Sequence, residues 1–363
     1  MNRHLVGKRS GTRLLAIAFS FAGIINSSLA LGECRLLLLA QLGVTVSSNR
    51  PLIDGEINGH KIRILVDTGS EYTMIWRSAA VRLGLPLEDV RGLRMFGVGG
   101  ETHLQAAKTQ EFKLAEFGTH GVRFLVAGEG ENNSFDMILG EDFLSKVTAE
   151  FDLAHGAMRL FRPEGCKTEQ LMYWSPTYSA ATLESPPSHA HRIDTAVEIN
   201  GKRVIATLDS GATHSIISTG AAANAAITAQ EPEGKGEGHV RGIGGRTLEF
   251  TVVKFDSIAI GDEKVQNLRL QVGNIGRNMR VDVTGSHLGE ALKGAPHMLI
   301  GADFFVSHRI IVPADGPVIL FTYAGGPVFQ VMHNVAAAAA GDSVGTATQP
   351  AAATDSKPDG GAP

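Results

Sequence analysis

The segments Ile62-Arg63-Ile64-Leu65-Val66-Asp67-Thr68-Gly69-Ser70 and Val204-Ile205-Ala206-Thr207-Leu208-Asp209-Ser210-Gly211-Ala212 are two versions of one pattern. Each is an apolar run with strand character that ends on an acid, a small hydroxyl residue and a glycine. Upstream, Asn58-Gly59 and Asn200-Gly201 mark tight turns, so each run is the second arm of a β-hairpin. Downstream, Thr73-Met74-Ile75 and Ser215-Ile216-Ile217 lead into short alanine-rich helices near 78–83 and 220–227. Asp67 and Asp209 therefore fall just past the end of a buried-looking strand in both copies.

Two further motifs recur in the same order. Gly97-Val98-Gly99-Gly100 is matched by Gly242-Ile243-Gly244-Gly245, and Met137-Ile138-Leu139-Gly140-Glu141-Asp142-Phe143 by Met298-Leu299-Ile300-Gly301-Ala302-Asp303-Phe304. Between these motifs the second copy is longer by about 16 residues, which fall within 273–296. The chain has 363 residues, 43% of them hydrophobic and 19% charged, enough to bury two cores. The expected organisation is a first lobe over 35–174, a linker over 175–187 around Ser185-Pro186-Pro187-Ser188, a second lobe over 188–330, and a disordered tail over 334–363.

The first 30 residues have the make-up of an export signal: Arg3, Lys8, Arg9 and Arg13, an apolar run from Leu14 to Ile25, and Ser28-Leu29-Ala30 as a cleavage site. An uncleaved anchor is the competing reading, although the run is short for a bilayer. Cleavage leaves no integral span and a net charge of -8, and places the protein in the periplasm or outside the cell. No basic block follows residue 30, which argues against a nucleic-acid partner. In an oxidising compartment Cys34 and Cys166 can pair; the sequence leaves free thiols equally open. Two cysteines cannot complete a zinc cluster, and His103, His120, His214, His239, His297 and His308 lack ligand spacing, so neither a metal nor another cofactor is expected. His214, close after Asp209, is placed to line a cleft edge.

A single Asp-Thr-Gly or Asp-Ser-Gly triplet is most simply a surface turn. Two of them at the ends of core strands, in matching positions of two copies, are different: a buried carboxylate is costly unless it shares its charge. Two carboxylates facing each other can share one proton, one pKa falling and the other rising.

The whole constellation resembles the retropepsin-type aspartic proteases in a tandem, single-chain form. The resemblance spans both lobes. It implies an all-β fold: two closed β-barrel-like lobes with one or two short helices each, related by a pseudo-twofold axis, in a monomer that is an intramolecular pseudo-dimer. It implies an endopeptidase that takes an extended polypeptide, with Asp67 and Asp209 as the catalytic pair. Thr68 and Ser210 would lock the active-site loops across the lobe boundary, and Gly69 and Gly211 would permit their close approach. Gly97, Val98, Gly99 and Gly100, with Gly242, Ile243, Gly244 and Gly245, would form two substrate-binding flaps. Asp142 and Asp303 read as helix N-caps. Retroviral members carry Arg just before this Asp, whereas this chain has Glu141 and Ala302. The alternative function is a catalytically silent peptide-binding scaffold with the same lobes.

Overall fold

The computed structural model describes residues 33–90, 95–97, 99–128, 130, 132, 134–184, 192–225, 238–241, 247–275, 280–281, 290–291, 296–329 and 347–348. The expected signal segment, nearly all of the tail and the Gly242–Gly245 motif lie outside the described residues. Among the described residues, no helix is long and apolar enough to cross a membrane.

Both Asn-Gly hairpins form. Strand Arg50–Ile57 returns as His60–Val66, and strand Asp194–Ile199 returns as Lys202–Leu208. The turn residues have positive φ, 51° and 78° at Asn58 and Gly59, 49° and 75° at Asn200 and Gly201. That conformation matches the twist of the flanking strands and selects these two residue types. Each Asn also has a second task. Asn58 Oδ1 accepts the backbone N–H groups of Gln110 and Glu111, and Asn200 Oδ1 those of Asp256 and Ser257, so each turn is stitched to the next strand of its barrel.

In the second copy six strands close a ring: Asp194–Ile199, Lys202–Leu208, Met298–Ile300, Ile216–Ser218, Glu263–Gly273 and Thr247–Ile260, which pairs back onto the first. The first copy follows the same path, but its long hairpin is broken into Gln105–Lys108, Glu111–Leu114, Phe117–His120 and Arg123–Ala127. Backbone bonds from Thr109 to Val122 and from Gly121 to Gln110 carry the ladder across the break. Matching apolar side chains fill the two interiors: Ile57, Ile64, Ile75 and Met137 in one, Ile199, Ala206, Ile217 and Met298 in the other, all fully buried. Each large aliphatic buried this way contributes about 1.5–3 kcal/mol, which makes the barrels rigid supports for the loops at their ends.

The lobes are joined by a six-stranded antiparallel sheet in the order Arg35–Gly43, Ala157–Glu164, Thr148–Asp152, His308–Val312, Val318–Tyr323, Ser179–Glu184. Each copy supplies three strands, and the seam runs between Thr148–Asp152 and His308–Val312, with Phe151 opposite Ile310. This corrects the expected linker. Residues 179–184 are the first strand of the second repeat rather than a tether, and only 185–187 of the expected linker lie outside the described residues. The small residues Ser179, Ala180 and Ala181 hide a strand pattern next to an obvious Pro-Pro turn signal. The covalent connection between repeats is instead 165–178, and the Cys34–Cys166 disulfide pins its start to the base of the first strand. The expected helices are present at Arg77–Arg82 and Thr219–Asn224.

Candidate active site

Each apolar strand pairs in parallel with the later Met137–Leu139 or Met298–Ile300 segment. That pairing leads directly to the acid: Asp67 N–H donates to Leu139 O at 3.0 Å, and Asp209 N–H to Ile300 O at 2.8 Å. Both loops thus leave a rigid sheet at the same height, and they meet across the lobe boundary.

The contact is reciprocal. Thr68 Oγ1 donates to Leu208 O at 2.8 Å and accepts from Ser210 N–H at 3.0 Å. Ser210 Oγ donates to Val66 O at 2.8 Å and accepts from Thr68 N–H at 3.1 Å. Both hydroxyls are buried, so all four bonds are shielded from competing water. Gly69 and Gly211 sit where the opposite acid lies: a Cβ on Gly69 would overlap the Asp209 carboxylate, and one on Gly211 that of Asp67. Any larger residue at either place would drive the loops apart.

Asp67 and Asp209 face each other closely enough for a side-chain hydrogen bond, and each is partly open to solvent. Burial raises both pKa values above the ordinary aspartate range. At Asp67 the negative charge of Asp209 and the hydrogen bond to it add to burial, and the value stands well above normal despite bonds from Gly69 and Ser70 N–H. At Asp209 burial is opposed by the N–H of Ala212, by the bond from Asp67 and by the N–H of Gly211. Both carboxyls are thus harder to ionise than an ordinary aspartate; the expected fall of one pKa does not occur, because burial acts on both acids and outweighs the split between them.

Of the expected flaps, the first is a hairpin: strand Met95–Gly97 pairs with Gly100–Thr102, Gly97 opposite Gly100, and Gly100 has φ 99°. Gly99 lies in its turn; Val98 is outside the described residues. In the second repeat, strand Gly238–Arg241 pairs with the start of Thr247–Ile260, while Gly242, Ile243, Gly244 and Gly245 lie outside the described residues. His214 is half-buried beside the Asp209 loop with Nδ1 3.0 Å from Thr213 Oγ1, and burial lowers its pKa.

Asp142 and Asp303 are not N-caps. Gly140 and Gly301 take the cap positions, and neither short helix has a side-chain cap. Asp142 Oδ1 accepts instead from Thr73 N–H and Oγ1, and Asp303 from Ser215 N–H and Oγ, while Thr73 and Ser215 accept from Gly140 and Gly301 N–H. These bonds clamp the far end of each acidic loop to the strand beneath it.

The sequence reading missed Glu141. It is buried, among the described residues its Oε1 reaches no hydrogen-bond partner, and burial, with Asp142 adding to it, raises its pKa from 4.5 to about 8. It lines a cavity of about 20 Å³ at the lobe boundary with Thr68, Val147, Ile193, Val312 and Pro313, room for about one water. The signals in the sequence were Glu141 standing where the second copy has Ala302 and where retroviral members carry Arg, neither of which speaks of burial. Asn49 was missed as well: its side chain crosses the boundary to donate to Thr213 O at 3.1 Å.

A family model described as aspartyl protease matches residues 53–143 and 195–304, both repeats including both acids. The chain is also 31% identical over 119 residues to the UBA domain-containing protein Mud1 of Schizosaccharomyces pombe. That match covers 31% of this chain and 33% of Mud1, so the chain spans about a third of that relative's length.

Proposed function

Because the chain belongs to the aspartyl protease family, we propose that it is an endopeptidase with one composite site, Asp67 from the first lobe and Asp209 from the second. The carrying observation is the hydrogen-bonded, half-buried pair of carboxyls with both pKa values raised. A water held between them loses a proton to the charged Asp209 carboxylate and attacks the scissile carbonyl carbon. The protonated Asp67 donates to the carbonyl oxygen, giving a neutral gem-diol intermediate without an acyl-enzyme. Collapse returns a proton to the leaving amine. Both barrels hold the acids fixed, so little reorganisation accompanies the transfer.

The substrate is a polypeptide bound extended under the glycine-rich hairpins, largely through main-chain pairing. Thr68, Gly69, Ser210 and Gly211 set the distance between the acids. The basic, apolar and small-residue order of the first 30 residues supports export to the periplasm or beyond, and the seam sheet supports a monomer acting as its own dimer. The test is incubation of the protein with a proteome-derived peptide mixture from acidic to neutral pH, beside Asp67→Asn and Asp209→Asn. Cleavage by the unaltered protein and its loss in both folded variants are expected; substantial cleavage by either variant overturns the two-acid site.

A further inference from the structure

One wall of the second barrel carries a buried polar group left without a hydrogen-bond partner among the described residues. Directly paired residues in a sheet share a face, and the ladder places Val252, Gln271, Ile216 and Leu299 in one row across four strands. Their chain neighbours Leu270, Ile217 and Met298 point into the barrel core, so the row is on the opposite face. There it joins Leu248, Phe250 and Ile275 in a separate apolar cluster, bordered by the half-buried Ala212. Two contacts locate this face. The Ala212 N–H donates to Asp209 Oδ1 at 2.9 Å, and Leu248 pairs with Val240 in the strand leading to Gly242–Gly245. The wall therefore borders the Asp209 loop and continues along strand Thr247–Ile260.

Gln271 is 1% exposed within this wall, and among the described residues its Nε2 has no hydrogen-bond partner. A buried amide donor left unpaired is a net loss that the free protein sustains, and an acceptor arriving from outside would recover it. In the first repeat the corresponding row is Ala106, Leu125, Met74 and Ile138, apolar throughout. The two halves thus differ at this row, amide in one and aliphatic in the other.

We propose that Gln271 is a specificity-determining residue of the second-lobe wall, selecting a substrate side chain with a neutral hydrogen-bond acceptor, best met by the carboxamide of Asn or Gln. The inference rests on the endopeptidase reading of the same cleft. A neutral acceptor fits because the surrounding wall is apolar and would desolvate a carboxylate. The Leu125 wall takes an aliphatic side chain at the opposing position.

The experiment profiles cleavage sites in a peptide library with the full chain, Gln271→Leu, Gln271→Met and the reciprocal Leu125→Gln. The unaltered protein should favour Asn or Gln over Leu and Asp at one position by about tenfold or more. Gln271→Leu and Gln271→Met should shift that position alone toward aliphatic residues, and Leu125→Gln should create the carboxamide preference at the opposing position. No carboxamide preference at any position in the unaltered protein overturns the inference, whether or not a variant folds. So does a preference that survives both Gln271 substitutions. Absence of all cleavage by the unaltered protein overturns the endopeptidase reading first, and the inference with it.

Discussion

Thr68 and Ser210 exchange four hydrogen bonds across the lobe boundary, each hydroxyl donating to a carbonyl of the other strand and accepting an N–H from the other loop. One residue is threonine and the other serine, so the shared element is the hydroxyl and not the methyl. Thr68→Ser should therefore be nearly silent. Thr68→Val keeps the shape but strands Leu208 O and Ser210 N–H in a buried seam, at a cost of about 1–3 kcal/mol for each lost partner. Denaturant unfolding of the two variants should separate them clearly.

Gly69→Ala and Gly211→Ala place a methyl on the opposing carboxylate. Both should fold, since the barrels lie elsewhere, yet lose at least about a hundredfold in peptide hydrolysis through misplaced acids. Circular dichroism beside a turnover assay checks the split.

Asp67 owes part of its raised pKa to the charge of Asp209. In Asp209→Asn that charge is gone, so the Asp67 carboxyl should titrate at lower pH than in the unaltered protein. Carbon NMR titration of labelled aspartate reads this shift directly, and an unchanged value would separate the two groups.

Glu141 takes up a proton on folding at any pH between its ordinary 4.5 and its folded value of about 8. Its contribution to stability is full below 4.5, falls as pH rises through that window, and stays low above 8. The described residues lining its cavity include no basic group to receive the charge. Glu141→Gln should remove this part of the pH slope, melting higher than the unaltered protein at pH 8–9 and nearly together with it at pH 4. Melting curves across the range decide it.

The Cys34–Cys166 disulfide closes a loop with a sequence separation of 132. By loop-closure entropy its removal should cost about 5 kcal/mol as an upper figure. Cys34→Ser with Cys166→Ser should unfold at lower denaturant while keeping the seam sheet and the acid pair at low temperature.

What could be read from the sequence was local or repeated. The Asn-Gly turns, the apolar runs before Asp67 and Asp209 and the matching Gly-Asp-Phe segments each depend on residues close in the chain, and duplication made weak motifs strong together. The boundary between lobes was not legible, because most of Ser179–Glu184 is held as a strand by Val318–Tyr323, far along the chain, with Asp194–Ile199 pairing only its last two residues. Asp142 and Asp303 were misread for a related reason: a cap is the local use of an acid at a helix start, and here Thr73 and Ser215 outcompete it from another strand. Glu141 and Gln271 are ordinary surface residue types whose burial arises only when the barrels close and meet.

Carrying both halves on one strand of peptide has a consequence for direction. Two identical subunits around a symmetry axis present the same face to a ligand entering from either end, and any change made to one is made to both. Here Glu141 answers to Ala302, Tyr72 to His214 and Leu125 to Gln271, so each flank has been free to drift alone. On the proposed endopeptidase reading, a trough assembled this way has a head and a tail, and can distinguish the amino end of what it grips from the carboxyl end.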